Sequence, residues 1–358
     1  MRKAVDPGAS IVVKVGSSSL TGSDGGLDDA SVASVVDQLA AVMSSGHPVV
    51  LVTSAAIAAG LPSLGMTTRP TAIADLQVAA AVGQTKLMER YASMFSRHGI
   101  EVGQVLLTKD VLGNRGQYLN ARSALLRMLE LGVMPIVNEN DTVVVDEVKL
   151  GDNDRLAAIA SHLIGSGMLV VLTDTHGLFT DDPRLTDDAE LLTAVVHSDE
   201  VLDRIRAAGG KGSLGSGGVV TKVVAARMAA FSGIPTVVAS AKVDRVVARA
   251  VAGEEVGTWI GPRPDPLPAR KLWIAFGLPA SGTVTIDRGA TQAVVDGGRS
   301  LLAVGVTDVS GGFERGDAID VIDSDGSICA KGVARVSAAD AMIPGVEVIH
   351  RDDLVVLR

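Results

Sequence analysis

Ile11-Val12-Val13-Lys14-Val15-Gly16-Ser17-Ser18-Ser19 decides how the surrounding chain must be read. Apart from Lys14, its first five residues are apolar at successive positions rather than alternate ones. A strand of that kind is covered on both faces, as in a parallel sheet. Gly16 breaks the run, and three serines follow. The strand end therefore offers a cation, hydroxyls and free N–H groups to an anion. The same residues also fit a surface lysine ahead of an ordinary turn.

Outward from this stretch, brief runs rich in Val, Ile and Leu recur at Val49–Thr53, Val102–Thr108, Val133–Val137, Met168–Thr173 and Thr236–Ala239. Helical patterns lie between them. After Asp28, the residues Val32, Val35, Val36, Leu39 and Val42 share one helical face. Ala72–Arg97, Tyr118–Leu131, Arg155–Ile164 and Thr221–Phe231 have similar periodicity. Repeated β-α-β units predict an α/β fold over residues 1–258, a doubly wound, mainly parallel sheet with helices on both sides. Ligands in such folds bind beyond the carboxyl ends of the strands.

The pattern changes near Trp259. Pro262, Pro264, Pro266 and Pro268 occupy alternate positions, which predicts a stiff extended linker over 259–270. Residues 271–358 read as a small, mostly β barrel. Its expected strands are Leu272–Phe276, Thr283–Ile286, Ala318–Ile322, Ile328–Val336 and Val346–Ile349, with one helix at Ala290–Asp296.

Composition narrows the function. Of 358 residues, 47% are hydrophobic and 20% charged, which supports a large core and excludes wholesale disorder. The net charge of -9 argues against a protein that grips nucleic acid through bulk charge. One cysteine, Cys329, excludes an internal disulfide framework and a cysteine-rich zinc site, and it fits a reducing cytoplasm. The N-terminus lacks the apolar stretch of a signal peptide. Leu156–Thr173 carries no formal charge, but Ser161, His162 and Gly165-Ser166-Gly167 divide it into a helix, a turn and a buried strand. A soluble, cytoplasmic protein is expected.

Four further segments can carry chemistry. Val52-Thr53-Ser54-Ala55-Ala56 runs from a strand into a helix start, where unpaired N–H groups favour phosphate and where Ser54 can equally serve as a cap. Asn138-Glu139-Asn140-Asp141 and Gly151-Asp152-Asn153-Asp154 are dense in amides and carboxylates. Such clusters are common turns, yet together they also suit an α-amino acid, whose ammonium needs acceptors and whose carboxylate needs donors. The stretch from Lys211 to Lys222 places four glycines and two lysines before a helix, which suits either a phosphate-wrapping loop or a flexible solvent-facing one. Thr173-Asp174, at a strand end, can hydrogen-bond a nucleotide or act as a cap. Gly210–Gly215 spells G-x-G-x-x-G but follows a helical segment, which defeats a dinucleotide fingerprint. The six histidines show no metal-ligand spacing, so no protein metal site is expected, and no G-x-S-x-G elbow occurs.

In their order, V-K-V-G-S-S, V-T-S-x-A-I-A-A-G, L-N-A-R, N-E-N-D, G-D-N-D, L-T-D and G-S-G-G-x-x-T-K resemble the glutamate 5-kinase family of the amino-acid kinase superfamily. The β-rich end resembles the PUA domain that many bacterial members carry. The resemblance implies ATP-dependent phosphorylation of the L-glutamate side-chain carboxylate to L-glutamyl 5-phosphate, the first step of proline biosynthesis. It assigns Lys14 and Lys222 to the transferring phosphoryl group and Asp154 to holding those lysines. Ser54, Asn138, Asp141 and Asn153 are implied for glutamate. Lys14, Gly16, Ser17, Thr173, Asp174, Ser216, Gly217, Gly218, Val219, Val220, Thr221 and Lys222 are implied for ATP. The cofactors implied are ATP and Mg2+. A homodimer or homotetramer, proline feedback and hand-over of product to glutamyl phosphate reductase are also implied. RNA is the alternative partner through the PUA domain and is not favoured, since residues 271–358 hold 8 basic and 12 acidic residues and few aromatics. Kinases of N-acetylglutamate or carbamate are the other alternative. Two positions depart from the family pattern. Ala55 stands where glycine is usual, which is harmless if its φ is negative and otherwise strains the turn. Val220 replaces a customary serine.

Overall fold

The computed structural model describes residues 2–22, 25–143, 153–183, 185–209 and 216–358. The chain divides into two compact units, Met1–Pro266 and Leu267–Arg358.

The strands of the first unit are β1 (Ile11–Val15), β2 (Val49–Thr53), β3 (Val102–Leu107), β4 (Met134–Glu139), β5 (Met168–Thr173), β6 (Ala194–Val196), β7 (Thr236–Ser240) and β8 (Thr258–Gly261). They form one sheet in the order β3-β4-β2-β1-β5-β7-β8-β6. Every pairing is parallel except β7 with β8. Trp259–Gly261 therefore completes a strand of this sheet rather than beginning the linker. Short β6 and β8 escape a sequence reading because three or four residues carry too little periodicity.

The helices of the first unit are α1 (Asp29–Ser44), α2 (Ala56–Gly60), α3 (Ile73–Ser96), α4 (Arg115–Glu130), α5 (Asn153–Ile164), α6 (Glu200–Gly209), α7 (Ser216–Phe231) and α8 (Val246–Val251). Asp28 caps α1 by accepting from the Ser31 N–H, which fixes its start at the expected place. Helix α7 begins five residues before the expected Thr221, so residues 216–220 lie in its first turns and not in a loop.

The pleat of β1 sorts its side chains between two layers. Ile11, Val13 and Val15 share a core with residues of α1, α3 and α8. The alternate residue Lys14 points the other way, toward α5 and its neighbour α7. Helix α2 crosses α3 with almost no separation. A Cβ on Gly83 would lie 1.7 Å from the Ala56 carbonyl oxygen, and one on Gly60 would lie 2.0 Å from that of Ala79. Only glycine permits that approach.

The second unit contains the strands β9 (Ala280–Ile286), β10 (Leu301–Leu302), β11 (Val306–Gly311), β12 (Ala318–Ile322), β13 (Ile328–Ala334) and β14 (Glu347–Val356). They form one sheet, in the order β10-β14-β13-β12-β9-β11, that curls over a core of Val284, Ile286, Leu301, Phe313, Val321 and Ile349, among others. Helix α10 (Arg288–Val295) follows Asp287, which caps it. Leu272–Phe276, expected as a strand, is helical instead: α9 (Ala269–Leu272) starts after Pro268 and continues as a π-turn through Gly277. A five-residue apolar run does not distinguish strand from buried helix.

Candidate active site

The carboxyl ends of four adjacent parallel strands, β4, β2, β1 and β5, present Asn138, Thr53 with Ser54, Lys14 and Thr173. The amino-terminal residues of α5, Asn153 and Asp154, meet this edge from the layer that Lys14 faces. Lys14, Ser54, Asn138, Asn153, Asp154 and Thr173 are all buried. Such polar density inside a core is costly unless each group is paired or awaits a ligand.

Asp154 is the hub. Its Oδ1 lies 2.6 Å from Lys14 Nζ and its Oδ2 lies 3.5 Å from Lys222 Nζ. The Thr221 hydroxyl donates to the same Oδ2 at 2.7 Å. Burial opposes ionisation of this carboxyl, but the two lysines and the Thr221 hydroxyl overcome it and hold the group below the usual carboxylate range. Burial pulls Lys222 down from the ordinary lysine value, Asp154 pushes it back, and the Lys14 charge pulls it further down. Lys222 also donates to the Gly218 carbonyl one turn earlier, at 2.9 Å. Two ammonium groups, distant in sequence, thus share a single carboxylate in a pocket of low dielectric.

Beside this charged group runs a chain of three amides. Asn153 Nδ2 donates to the Thr53 carbonyl at 2.6 Å, to Ser54 Oγ at 3.1 Å and to Asn138 Oδ1 at 2.8 Å, so its two protons are shared among three acceptors. Asn138 Oδ1 also accepts from the Glu139 N–H, and its Nδ2 donates to Gln84 Oε1 at 2.7 Å. Gln84, on α3, carries no sequence signal of its own and is the site residue that the sequence reading missed.

The other expected residues divide. Gly16 caps the short turn Ser17–Ser19, and a side chain at Gly16 would crowd Lys14 Nζ at 3.3 Å. Thr173 donates to Asp174 at 3.1 Å, and the Asp174 charge raises the Lys222 pKa, which ties the end of β5 to the lysine pair. Val219 and Val220 occupy the first turns of α7 along with Gly218. Ser216 and Gly217 begin that helix, while Gly151, Asp152 and residues 211–215 lie outside the described residues. Asp141 is buried but makes no hydrogen bond to the three amides among the described residues. Burial pushes its carboxyl up to about 6, against the pull of Arg69. Ala55 adopts the left-handed conformation at φ 77°, so the expectation that the methyl is harmless at negative φ does not apply.

Comparison with known proteins identifies the family. Residues 9–240 match the amino acid kinase family, and residues 282–350 match the PUA domain. A glutamate 5-kinase of Marinomonas sp. is 44% identical over the full length of both chains. One of Thioalkalivibrio sulfidiphilus is 47% identical over 97% of this chain and 96% of its own. The crystal structure of UMP kinase from Bacillus anthracis superposes with a TM-score of 0.50 at 15% identity, covering 72% of this chain and 97% of that one, which supports the fold. The chain therefore belongs to the glutamate 5-kinase family of amino acid kinases, with a carboxy-terminal PUA domain.

Proposed function

We propose that the protein transfers the γ-phosphoryl group of ATP to the side-chain carboxylate of L-glutamate, forming L-glutamyl 5-phosphate and ADP for proline biosynthesis. The convergence of Lys14 and Lys222 on Asp154 at the strand ends carries this reading. A carboxylate is a competent oxygen nucleophile at neutral pH, so the reaction needs no general base. It needs two anions brought together in line. At about 4 Å their repulsion is about 4 kcal/mol at an effective dielectric near 20. The two ammonium groups offset that repulsion as the glutamate oxygen bonds to phosphorus and the bond to the ADP oxygen breaks. Asp154 holds both lysines in position and favours the charged form of Lys222 before substrate arrives. Ser54, Asn138, Asp141 and Asn153 are assigned to glutamate. Lys14, Gly16, Ser17, Thr173, Asp174 and residues 216–222 are assigned to ATP.

Among the described residues no three His, Cys, Asp or Glu side chains cluster as a metal cage, and Asp154 is occupied by its lysines. That donor set fits Mg2+ carried mainly by nucleotide phosphates and water, where the ion supplies charge neutralisation. The substrate assignment is tested by ATP-dependent trapping of the acyl phosphate with hydroxylamine, comparing L-glutamate, aspartate, N-acetylglutamate and carbamate. A hydroxamate from glutamate alone is expected, and product from N-acetylglutamate or carbamate instead would overturn it.

Among the described residues no helix is long and apolar enough to cross a membrane, and a cytoplasmic location suits the single thiol of Cys329. The acyl phosphate hydrolyses readily, which favours hand-over to glutamyl phosphate reductase, and a homodimer or homotetramer is the proposed assembly. The net charge of residues 271–358 favours a structural or regulatory role for the PUA domain over RNA binding.

A further inference from the structure

We propose that Gln84 is a specificity-determining residue whose side-chain N–H group binds the non-reacting α-carboxylate of the amino-acid substrate; this rests on the glutamate kinase reading above. The argument is one of hydrogen-bond polarity. The backbone fixes the orientation of two of the three amides: the Thr53 carbonyl requires a donor, so Asn153 presents Nδ2 to it, and the Glu139 N–H requires an acceptor, so Asn138 presents Oδ1. Asn138 is left with Nδ2 to offer Gln84, which must answer with Oε1. The chain therefore runs in one direction only, and it ends in two buried atoms of opposite sense. Among the described residues, Asn153 Oδ1 is an acceptor without a donor, and Gln84 Nε2 is a donor without an acceptor.

Native proteins rarely leave such groups unpaired unless a ligand completes them. An acceptor and a donor held at the two ends of one rigid amide chain match the ammonium and the carboxylate of an α-amino acid. Asn153 adjoins Asp154 and the lysine pair, whereas Gln84 is two amides further away. The reacting carboxylate belongs at the lysines, which leaves the α-carboxylate for Gln84. The glycine contact between α2 and α3 supports this placement: Gly83, next to Gln84, packs directly on the Ala56 carbonyl and holds that turn of α3 rigidly against the site.

The test is Gln84→Glu, a near-isostere that keeps an oxygen for Asn138 and replaces the Nε2 donor by an acceptor. Hydroxamate formation is measured with L-glutamate and with its α-amide, L-isoglutamine. For L-glutamate we expect KM to rise about 10- to 100-fold, because a charge-assisted hydrogen bond becomes a repulsion, with kcat and the KM for ATP within about threefold. For the α-amide, which offers an N–H to the variant's carboxylate, kcat/KM should hold or rise, so the preference for glutamate falls by at least about tenfold. An unchanged KM for glutamate, or a parallel loss with both substrates, would overturn the assignment, since a purely structural role moves both alike. Should this variant not fold, Gln84→Met must still impair glutamate more than its α-amide. Glutamate turnover by the unsubstituted protein separates the two claims: its absence defeats the kinase reading, whereas its presence with an unmoved preference defeats only the role of Gln84.

Discussion

Replacing Asp154 by asparagine tests whether one carboxylate holds the two lysines together. The substitution keeps the shape and an acceptor for the Thr221 hydroxyl but removes the negative charge. At an effective dielectric near 20, the Lys14 contact at 2.6 Å corresponds to about 6 kcal/mol of Coulomb attraction and the Lys222 contact at 3.5 Å to about 5 kcal/mol. Desolvation of the buried carboxylate offsets much of this, and breaking a buried pair typically costs about 3–5 kcal/mol. For a unit of this size roughly 2–4 °C is lost per kcal/mol, so a drop of about 10 °C in Tm is expected at pH 7. The pH dependence has a definite sign. Lys222 is already depressed in the folded state by burial and by Lys14, and loss of Asp154 depresses it further. The unfolded chain then binds more protons than the folded one, so stability rises with pH as the folded-state lysine deprotonates. Thermal melts at pH 7 and pH 9.5 should show the deficit shrinking at the higher pH. Adding sulfate or ATP should also shrink it, because an anion takes the place of the carboxylate. A variant that melts within about 1 °C of the parent at pH 7 and keeps its kcat would refute the reasoning.

Other substitutions probe separate parts of the site. Ala55→Gly should change stability by less than about 1 kcal/mol: relief of roughly 1–2 kcal/mol of left-handed strain is offset by a lost buried methyl and a freer unfolded chain. Its kcat/KM for ATP should rise, and an unchanged value would show that the methyl does not crowd the nucleotide. Asp141→Asn should stabilise the protein above pH 6 by up to about 3 kcal/mol, since a folded-state pKa of about 6 means that ionisation opposes folding as pH rises from about 4 to 6. The same variant should raise the KM for glutamate, and urea melts between pH 4 and 8 with parallel kinetics check both effects. Gly83→Ala should destabilise by at least about 1–3 kcal/mol, because no rotamer moves a Cβ away from the Ala56 carbonyl. A variant of undiminished stability would show that α2 and α3 can separate freely.

Much of this protein was legible in its one-dimensional pattern. Continuous apolar runs such as Ile11–Val15 and Met168–Thr173 imply strands covered on both faces, and the structure places both at the centre of a parallel sheet. Asp28 marked the start of α1 because capping is a local interaction. Lys14 was conspicuous as a cation at a strand end followed by glycine and three serines. Other features depend on contacts that span long stretches of chain. Leu272–Phe276 is helical, and a five-residue apolar run does not by itself choose between strand and helix. The left-handed backbone of Ala55 follows from how β2 enters α2, and alanine itself does not signal it. Gln84 sits among ordinary helix residues, and only the crossing of α2 on α3 together with the register of β4 brings it to Asn138. Local sequence thus marked the long central elements and the charged groups, because propensity, capping and burial act over a few residues. Tertiary structure decided which of those groups share a proton or a charge, because hydrogen bonds and ion pairs operate over a few ångströms between segments far apart in the chain.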